Sequence, residues 1–154
     1  MEWMSDAPSP FSKVLVANRG EIAVRVLQAA KEAGLSCVAV FSDSDSSSLH
    51  VEIADEAVLL EGDTLEMTYL NGDSIIEAAR STGADAIHPG YGFLSERADF
   101  ASAVEAAGIR WIGPSAHAIE TMGDKISARS LMIESGVPVI PGEQIPVEEG
   151  ADHL

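Results

Sequence analysis

The first regular feature along the chain is a short apolar run, Lys13-Val14-Leu15-Val16-Ala17-Asn18, closed by Arg19-Gly20. Uninterrupted apolar residues bounded by a turn signal predict a strand buried on both faces. From Glu21 the period changes: Ile22, Ala23, Val26, Leu27, Ala30 and Ala33 recur at three and four, and Gly34 follows as a C-cap. That spacing predicts an amphipathic helix of about four turns. Ser36 to Ser42 reads as a second buried strand, Asp43 to Ser48 as a polar loop at its carboxyl end, and Glu56-Ala57-Val58-Leu59-Leu60 as a third strand. Asp73 to Arg80 is predicted helical and stopped by Gly83, and Asp85 to His88 is a fourth strand broken by Pro89-Gly90. A helix from about Ser95, its expected N-cap, runs to Ala107 and stops at Gly108. Arg110 to Pro114 is a fifth strand, and Ser115 N-caps a short helix reaching Met122, with Gly123 as its stop. A last helix covers about Lys125 to Ser135, followed by Gly136 and a short extended Val137-Pro138-Val139-Ile140.

Strands alternating with helices predict an α/β fold: an open, mostly parallel, Rossmann-like sheet with helices on both faces, joined by right-handed crossovers. Val14, Leu15, Val16, Val38, Val40, Ile87 and Ile112 are its expected central-strand residues. Residues 1–12 carry two prolines and no periodicity and are expected to be a flexible leader, leaving 13–140 as one domain. Residues 141–154 also lack periodicity and read as a linker toward a further domain.

At 154 residues the chain fits a single domain with a stable core. Its one cysteine, Cys37, sits in an apolar run and is expected to be a small buried side chain rather than a nucleophile or ligand. No basic or long apolar stretch resembles a signal or a membrane span, which predicts a soluble, cytoplasmic protein. Against 9 Lys+Arg stand 25 Asp+Glu, a net charge of −16, and no segment concentrates basic residues. Nucleic acid and anionic membranes are therefore poor partners. An acid-rich surface repels small anions at long range, so any anion site must be built from local groups such as helix amino termini.

Ligands of open parallel sheets collect at the carboxyl ends of the strands, which directs attention to four segments. Ala17-Asn18-Arg19-Gly20-Glu21-Ile22-Ala23 occupies the place of a dinucleotide-binding G-x-G-x-x-G but has one glycine, with Asn18 at the first glycine's position. Bulky side chains there argue against a pyrophosphate, although Asp43 and Asp45 lie about where a ribose-binding acid would; a tight polar turn of Arg19 and Glu21 is the plainer alternative. His88-Pro89-Gly90-Tyr91-Gly92-Phe93-Leu94-Ser95-Glu96 places two glycines around a tyrosine, a sharp turn able to expose peptide N–H groups and act as a substrate wall. Phe93 and Leu94 are expected to pack, and His88 to be structural, since no residue has metal-ligand spacing to it. Met122-Gly123-Asp124-Lys125 sets a cation at a helix start, unfavourable to the dipole unless an anion is present; a solvated surface lysine is the alternative. It is not a Walker A loop. Asp43-Ser44-Asp45-Ser46-Ser47-Ser48 is either a cation chelator or, more simply, a plain loop.

Taken in register, Val16 to Arg25, His88 to Glu96, Trp111-Ile112-Gly113-Pro114 and Met122 to Lys125 resemble the amino-terminal domain of biotin carboxylases in order and spacing. The resemblance spans about residues 11 to 142, including Asp55-Glu56-Ala57 after His50-Val51-Glu52-Ile53-Ala54. It implies the fold that precedes an ATP-grasp domain in acetyl-, propionyl- and related acyl-CoA carboxylases and in pyruvate carboxylase. The resemblance implies that in the intact enzyme ATP phosphorylates bicarbonate, that the carboxyphosphate delivers CO₂ to biotin on a carboxyl carrier protein, and that a carboxyltransferase chooses the acceptor. It further implies that Lys125 contacts the ATP phosphates, that Tyr91 and Gly92 line the pocket near bicarbonate and biotin, and that the helix with Arg25 and Glu32 helps form a homodimer. Gln28 departs from the arginine common in bacterial relatives.

By the same resemblance, the Mg²⁺-ATP and biotin groups of the ATP-grasp region would follow after about residue 155. No catalytic residue or metal ligand is then expected within these residues. ATP, Mg²⁺ and biotin belong to the intact enzyme, none is expected bound to this chain alone, and exposed apolar surface should mark where the remainder packs. Two other readings are a self-standing interaction module docking through the Arg25 helix, and the first domain of another ATP-grasp ligase; the His-Pro-Gly-Tyr-Gly turn favours biotin carboxylase.

Overall fold

The computed structural model of the chain describes residues 10–123 and 125–140. Five strands, β1 (Lys13–Val16), β2 (Ser36–Phe41), β3 (Glu56–Leu59), β4 (Ala86–His88) and β5 (Arg110–Trp111), form one sheet in the order β3-β2-β1-β4-β5. Every pairing is parallel, with Leu15 in register with Val38 on one side and Ile87 on the other. The helices are α1 (Gly20–Glu32), α2 (Leu49–Ile53), α3 (Gly72–Thr82), α4 (Ala98–Ala106), α5 (Ala116–Gly123) and α6 (Lys125–Glu134). The expected leader and linker, apart from residues 10–12, lie outside the described residues.

Successive strand residues point to opposite faces, and this alternation sorts the apolar runs into two cores. Leu15, Val38, Val40, Ile87 and Trp111 face one way and pack with Ile75 and Ala79 of α3, Phe100 and Val104 of α4 and Ile119 of α5. Val14, Val16, Cys37, Ala39 and Ala86 face the other and meet Ala23, Leu27 and Ala30 of α1. Because both faces of the central strands are covered, the runs Val14–Val16 and Cys37–Val40 contain no alternating polar positions, which is why they read as continuous apolar runs. Cys37 is fully buried, as expected, and burial pushes its thiol pKa up.

Several local expectations hold for the reasons given. Gly83 takes the left-handed conformation at φ 68° that closes α3, and the Ser115 hydroxyl accepts from the Ala118 N–H at 3.2 Å as the α5 N-cap. Others need correction. Ser95 does not cap α4, which begins at Ala98 after the extended Arg97 (φ −100°, ψ 102°). Leu94, buried just before Ser95, pulls the chain into the core, and residues 92–97 instead make tight turns through Ser95 N–H to Gly92 O and Arg97 N–H to Leu94 O. The fifth strand is two residues long at the sheet edge. Ile112 lies just past it, so it is not a central-strand residue, although its N–H still donates to Ile87 O at 2.9 Å. Helix α2 has no counterpart in the apolar periodicity: it is one short turn-and-a-half around the buried His50.

Leu131, Ile133, Val137 and Ile140 are exposed on α6 and the segment after it, together with Met122 on α5. None of the described α6 side chains is buried. Exposed apolar surface of this kind is a feature that proteins use to meet other protein. Among the described residues no helix is long and apolar enough to cross a membrane.

Candidate functional site at the carboxyl edge of the sheet

The chain runs β1, β2, β3 outward in one direction and returns across β1 to place β4 and β5 on its other side. The switch in direction lies between β1 and β4, so the loops after those two strands diverge at a crevice, where open parallel sheets place ligands. The Ala17 N–H donates to His88 O at 2.9 Å, which keeps the two strand ends together. Beyond it, Asn18 is 3% exposed; its Nδ2 donates to Pro89 O (2.7 Å) and Tyr91 O (2.9 Å), while its Oδ1 accepts from Arg19 N–H (2.9 Å). The sequence pattern marks Asn18 only as a residue filling a glycine's place; its position at a strand end before Arg-Gly is the signal available for its role.

The turn after β4 has positive φ at Gly90 (69°), Gly92 (64°) and, against its preference, Phe93 (45°). The Phe93 ring stacks on Tyr69 with centroids 5.3 Å apart and planes 8° from parallel, packing that holds the disfavoured backbone in place. Leu94 and Phe93 therefore pack as expected. Tyr91 projects outward, 62% exposed, its hydroxyl 3.4 Å from Glu21 Oε2, and Gly92 is exposed beside it. The N–H groups of Tyr91, Gly92 and Phe93 donate to no other described residue. Tyr91, Gly92, Phe93, Asn18, Arg19 and Ile22 are among the residues lining a cleft of about 400 Å³. His88 is structural: its Nδ1 accepts from Gly90 N–H at 3.0 Å, and burial lowers its pKa, favouring the neutral ring that can accept.

The segment Asp43 to Ser48 is not a plain loop. It opens with a short 3₁₀ turn, and Asp45 points inward, 6% exposed. Its Oδ1 holds Arg19 Nη2 at 2.9 Å, and its Oδ2 accepts from Tyr69 OH at 2.6 Å. Tyr69 is fully buried; burial, and secondly its hydrogen bond to Asp45, push the phenol pKa up to about 12. The Arg19 guanidinium lies 5.6 Å from the centre of the Tyr69 ring. Arg19 thus turns toward β2 and Glu21 toward Tyr91, and the two do not close a polar turn on each other. Among the described residues no three His, Cys, Asp or Glu gather as a metal site.

Arg25 and Glu32 are exposed on α1, on the same outward face as Gln28, and form no ion pair among the described residues. Lys125 opens α6, and its side chain lies outside the described part of the structure.

The family model for the biotin carboxylase N-terminal domain matches residues 10–119. The chain belongs to that family. As a biotin carboxylase amino-terminal domain, it is 52% identical over 146 residues to the biotin carboxylase of Halalkalibacterium halodurans, covering 94% of this chain and 32% of the relative. It is also 52% identical over 139 residues to mitochondrial pyruvate carboxylase of Rattus norvegicus, covering 90% of this chain and 12% of that one. Among solved structures, the biotin carboxylase domain dimer of Hydrogenobacter thermophilus 2-oxoglutarate carboxylase, in complex with magnesium ADP and bicarbonate, superposes with a TM-score of 0.82 at 49% identity. That match covers 86% of this chain and 29% of the solved one. The domain therefore spans a third or less of these relatives.

Proposed function

We propose that this domain serves a biotin carboxylase, which uses ATP and bicarbonate to carboxylate biotin on a carrier protein. The observation that carries the reading is the Tyr91–Gly92 turn. It stands at the switch point of the sheet, exposes an aromatic ring, carries peptide N–H groups that donate to no other described residue, and is anchored from behind. Such a turn suits one wall of a pocket for a small anion and the flat ureido ring of biotin. The relative solved with magnesium ADP and bicarbonate supports the same substrates.

In this reading the described residues form only part of a nucleotide site. Arg19 already answers Asp45, and among the described residues no three His, Cys, Asp or Glu gather to hold Mg²⁺. Neutralising and positioning ATP phosphates requires several such groups. Lys125 supplies one phosphate contact in this reading, and the ATP-grasp part of the enzyme supplies the others, so the chain alone is inactive. Arg25 and Glu32 contribute the outward face of α1 to a homodimer. The carrier protein and a carboxyltransferase complete the assembly, the carboxyltransferase decides which acyl-CoA or keto acid is carboxylated, and a cytoplasmic location belongs to the same reading.

The test is Tyr91→Ala in the complete carboxylase that contains these residues. Removing the wall should raise KM for bicarbonate and free biotin while leaving KM for ATP in place. Unchanged bicarbonate and biotin constants would remove Tyr91 from the substrate pocket.

A further inference from the structure

We infer that Asn18 is a positioning residue: by tying the loop after β1 to the turn after β4, it sets the Tyr91–Gly92 wall for substrate. This rests on the reading of that turn as a substrate wall. Asn18 leaves the end of β1 and uses all three of its side-chain hydrogen-bonding functions inside the protein: two N–H groups on Pro89 O and Tyr91 O, and its carbonyl on Arg19 N–H. A short carboxamide is the side chain that can donate twice and accept once at this reach. An ionised aspartate cannot donate, serine donates once, and glutamine is a carbon longer. At 3% exposure no water replaces a lost partner without rearrangement.

The turn is shaped around this side chain. A Cβ at Gly90 would lie 2.8 Å from Asn18 Nδ2 and 3.1 Å from its Cβ and Cγ, so the glycine is required by contact as well as by φ. At Gly92, two residues on, an added Cβ would meet nothing within 4 Å. One glycine therefore faces the clamp and the other faces open space. The carbonyl of Tyr91 is held from the buried side while its ring stands 62% exposed on the other. The backbone of the wall is thus fixed by a residue that itself stays buried under the turn. Fixing it in advance spares the ordering that substrate binding would otherwise require.

The experiment compares Asn18→Asp and Gly90→Ala with the parent in the complete carboxylase, reading melting temperature and separate KM values for ATP, bicarbonate and free biotin. Asn18→Asp keeps the shape and removes both donors; Gly90→Ala keeps Asn18 and crowds it from the opposite side. A positioning role predicts that both variants raise the bicarbonate and biotin KM by about tenfold, while the ATP KM stays within about twofold. Amide exchange at Gly90, whose N–H donates to His88 Nδ1, should quicken in the 154-residue chain carrying either change, with Ala17 N–H still protected. Equal movement of all three constants with a fall in melting temperature would make Asn18 merely structural, and no movement would remove it from the site; either overturns the inference. Should Asn18→Asp fail to fold, Gly90→Ala decides on the same readings. Quickened exchange at Gly90, together with a silent Tyr91→Ala, would sink the pocket reading and leave the clamp standing.

Discussion

The phenol of Tyr69 donates a 2.6 Å hydrogen bond to the buried carboxylate of Asp45. The two residues are 24 positions apart, and neither end of the contact is exposed. The same carboxylate holds Arg19, so a single charge orders the loop after β1, the turn after β2 and the segment carrying Tyr69.

Tyr69→Phe removes the donor and leaves a buried carboxylate short of one partner, while the ring remains stacked on Phe93. We expect a loss of about 1–3 kcal/mol, seen as a lower urea midpoint at unchanged slope. A variant as stable as the parent would mean that water or Ser42, whose hydroxyl also reaches Asp45 at 3.2 Å, takes over the contact.

Leu15 is fully buried in the central strand and meets α-helical side chains from the α3 and α4 side. Leu15→Ala should destabilise the domain by about 2–5 kcal/mol, the range for a buried leucine whose cavity does not collapse. Exposed Tyr91→Ala should change stability by less than about 0.5 kcal/mol. Chemical denaturation of both variants checks the contrast.

Stability should fall with acid in two separate windows. Burial lowers the pKa of His50 and His88 below 6.5, so the unfolded chain binds protons first. The neutral rings therefore lose their advantage as pH drops below 6.5 toward the folded values. The hydrogen bond from Lys31, helped by the Cys37 N–H, holds the Asp55 carboxyl at about 2 against an ordinary 3.8. Its stabilisation is complete above 3.8 and lost as pH approaches 2. Urea midpoints from pH 8 downward should be level at first and decline below 6.5; a level curve from there to pH 5 would contradict the histidine assignment.

Lys125→Ala in the complete carboxylase should weaken ATP binding or turnover by about 1.5–3 kcal/mol, the worth of a charge-assisted phosphate contact. In the 154-residue chain the same change should do almost nothing, because titration calorimetry of the parent chain with Mg²⁺-ATP should show no millimolar binding. Tight binding by the parent chain would place a complete nucleotide site within these residues.

The periodicity of apolar residues determined the order of strands and helices, and with it the parallel sheet. Runs such as Val14-Leu15-Val16 and Cys37-Val38-Ala39-Val40 can be satisfied only by burial on both faces. Local signals sufficed for Gly83 and Ser115, whose conformations depend on neighbours within a turn. The four motifs in register were enough to indicate the family. What the sequence left undecided depends on groups that meet across long separations. Ser95 looks like a cap until Leu94 is drawn into the core, and Ile112 looks like a strand residue until β5 is found at the sheet edge. Asp45 looks solvated in a run of serines, and Asn18 looks like a misplaced glycine. Their roles are set by Tyr69, 24 residues away, and by Pro89 and Tyr91, 71 and 73 residues away. Chain order carries no distance information at that range; only the folded sheet brings those donors and acceptors together.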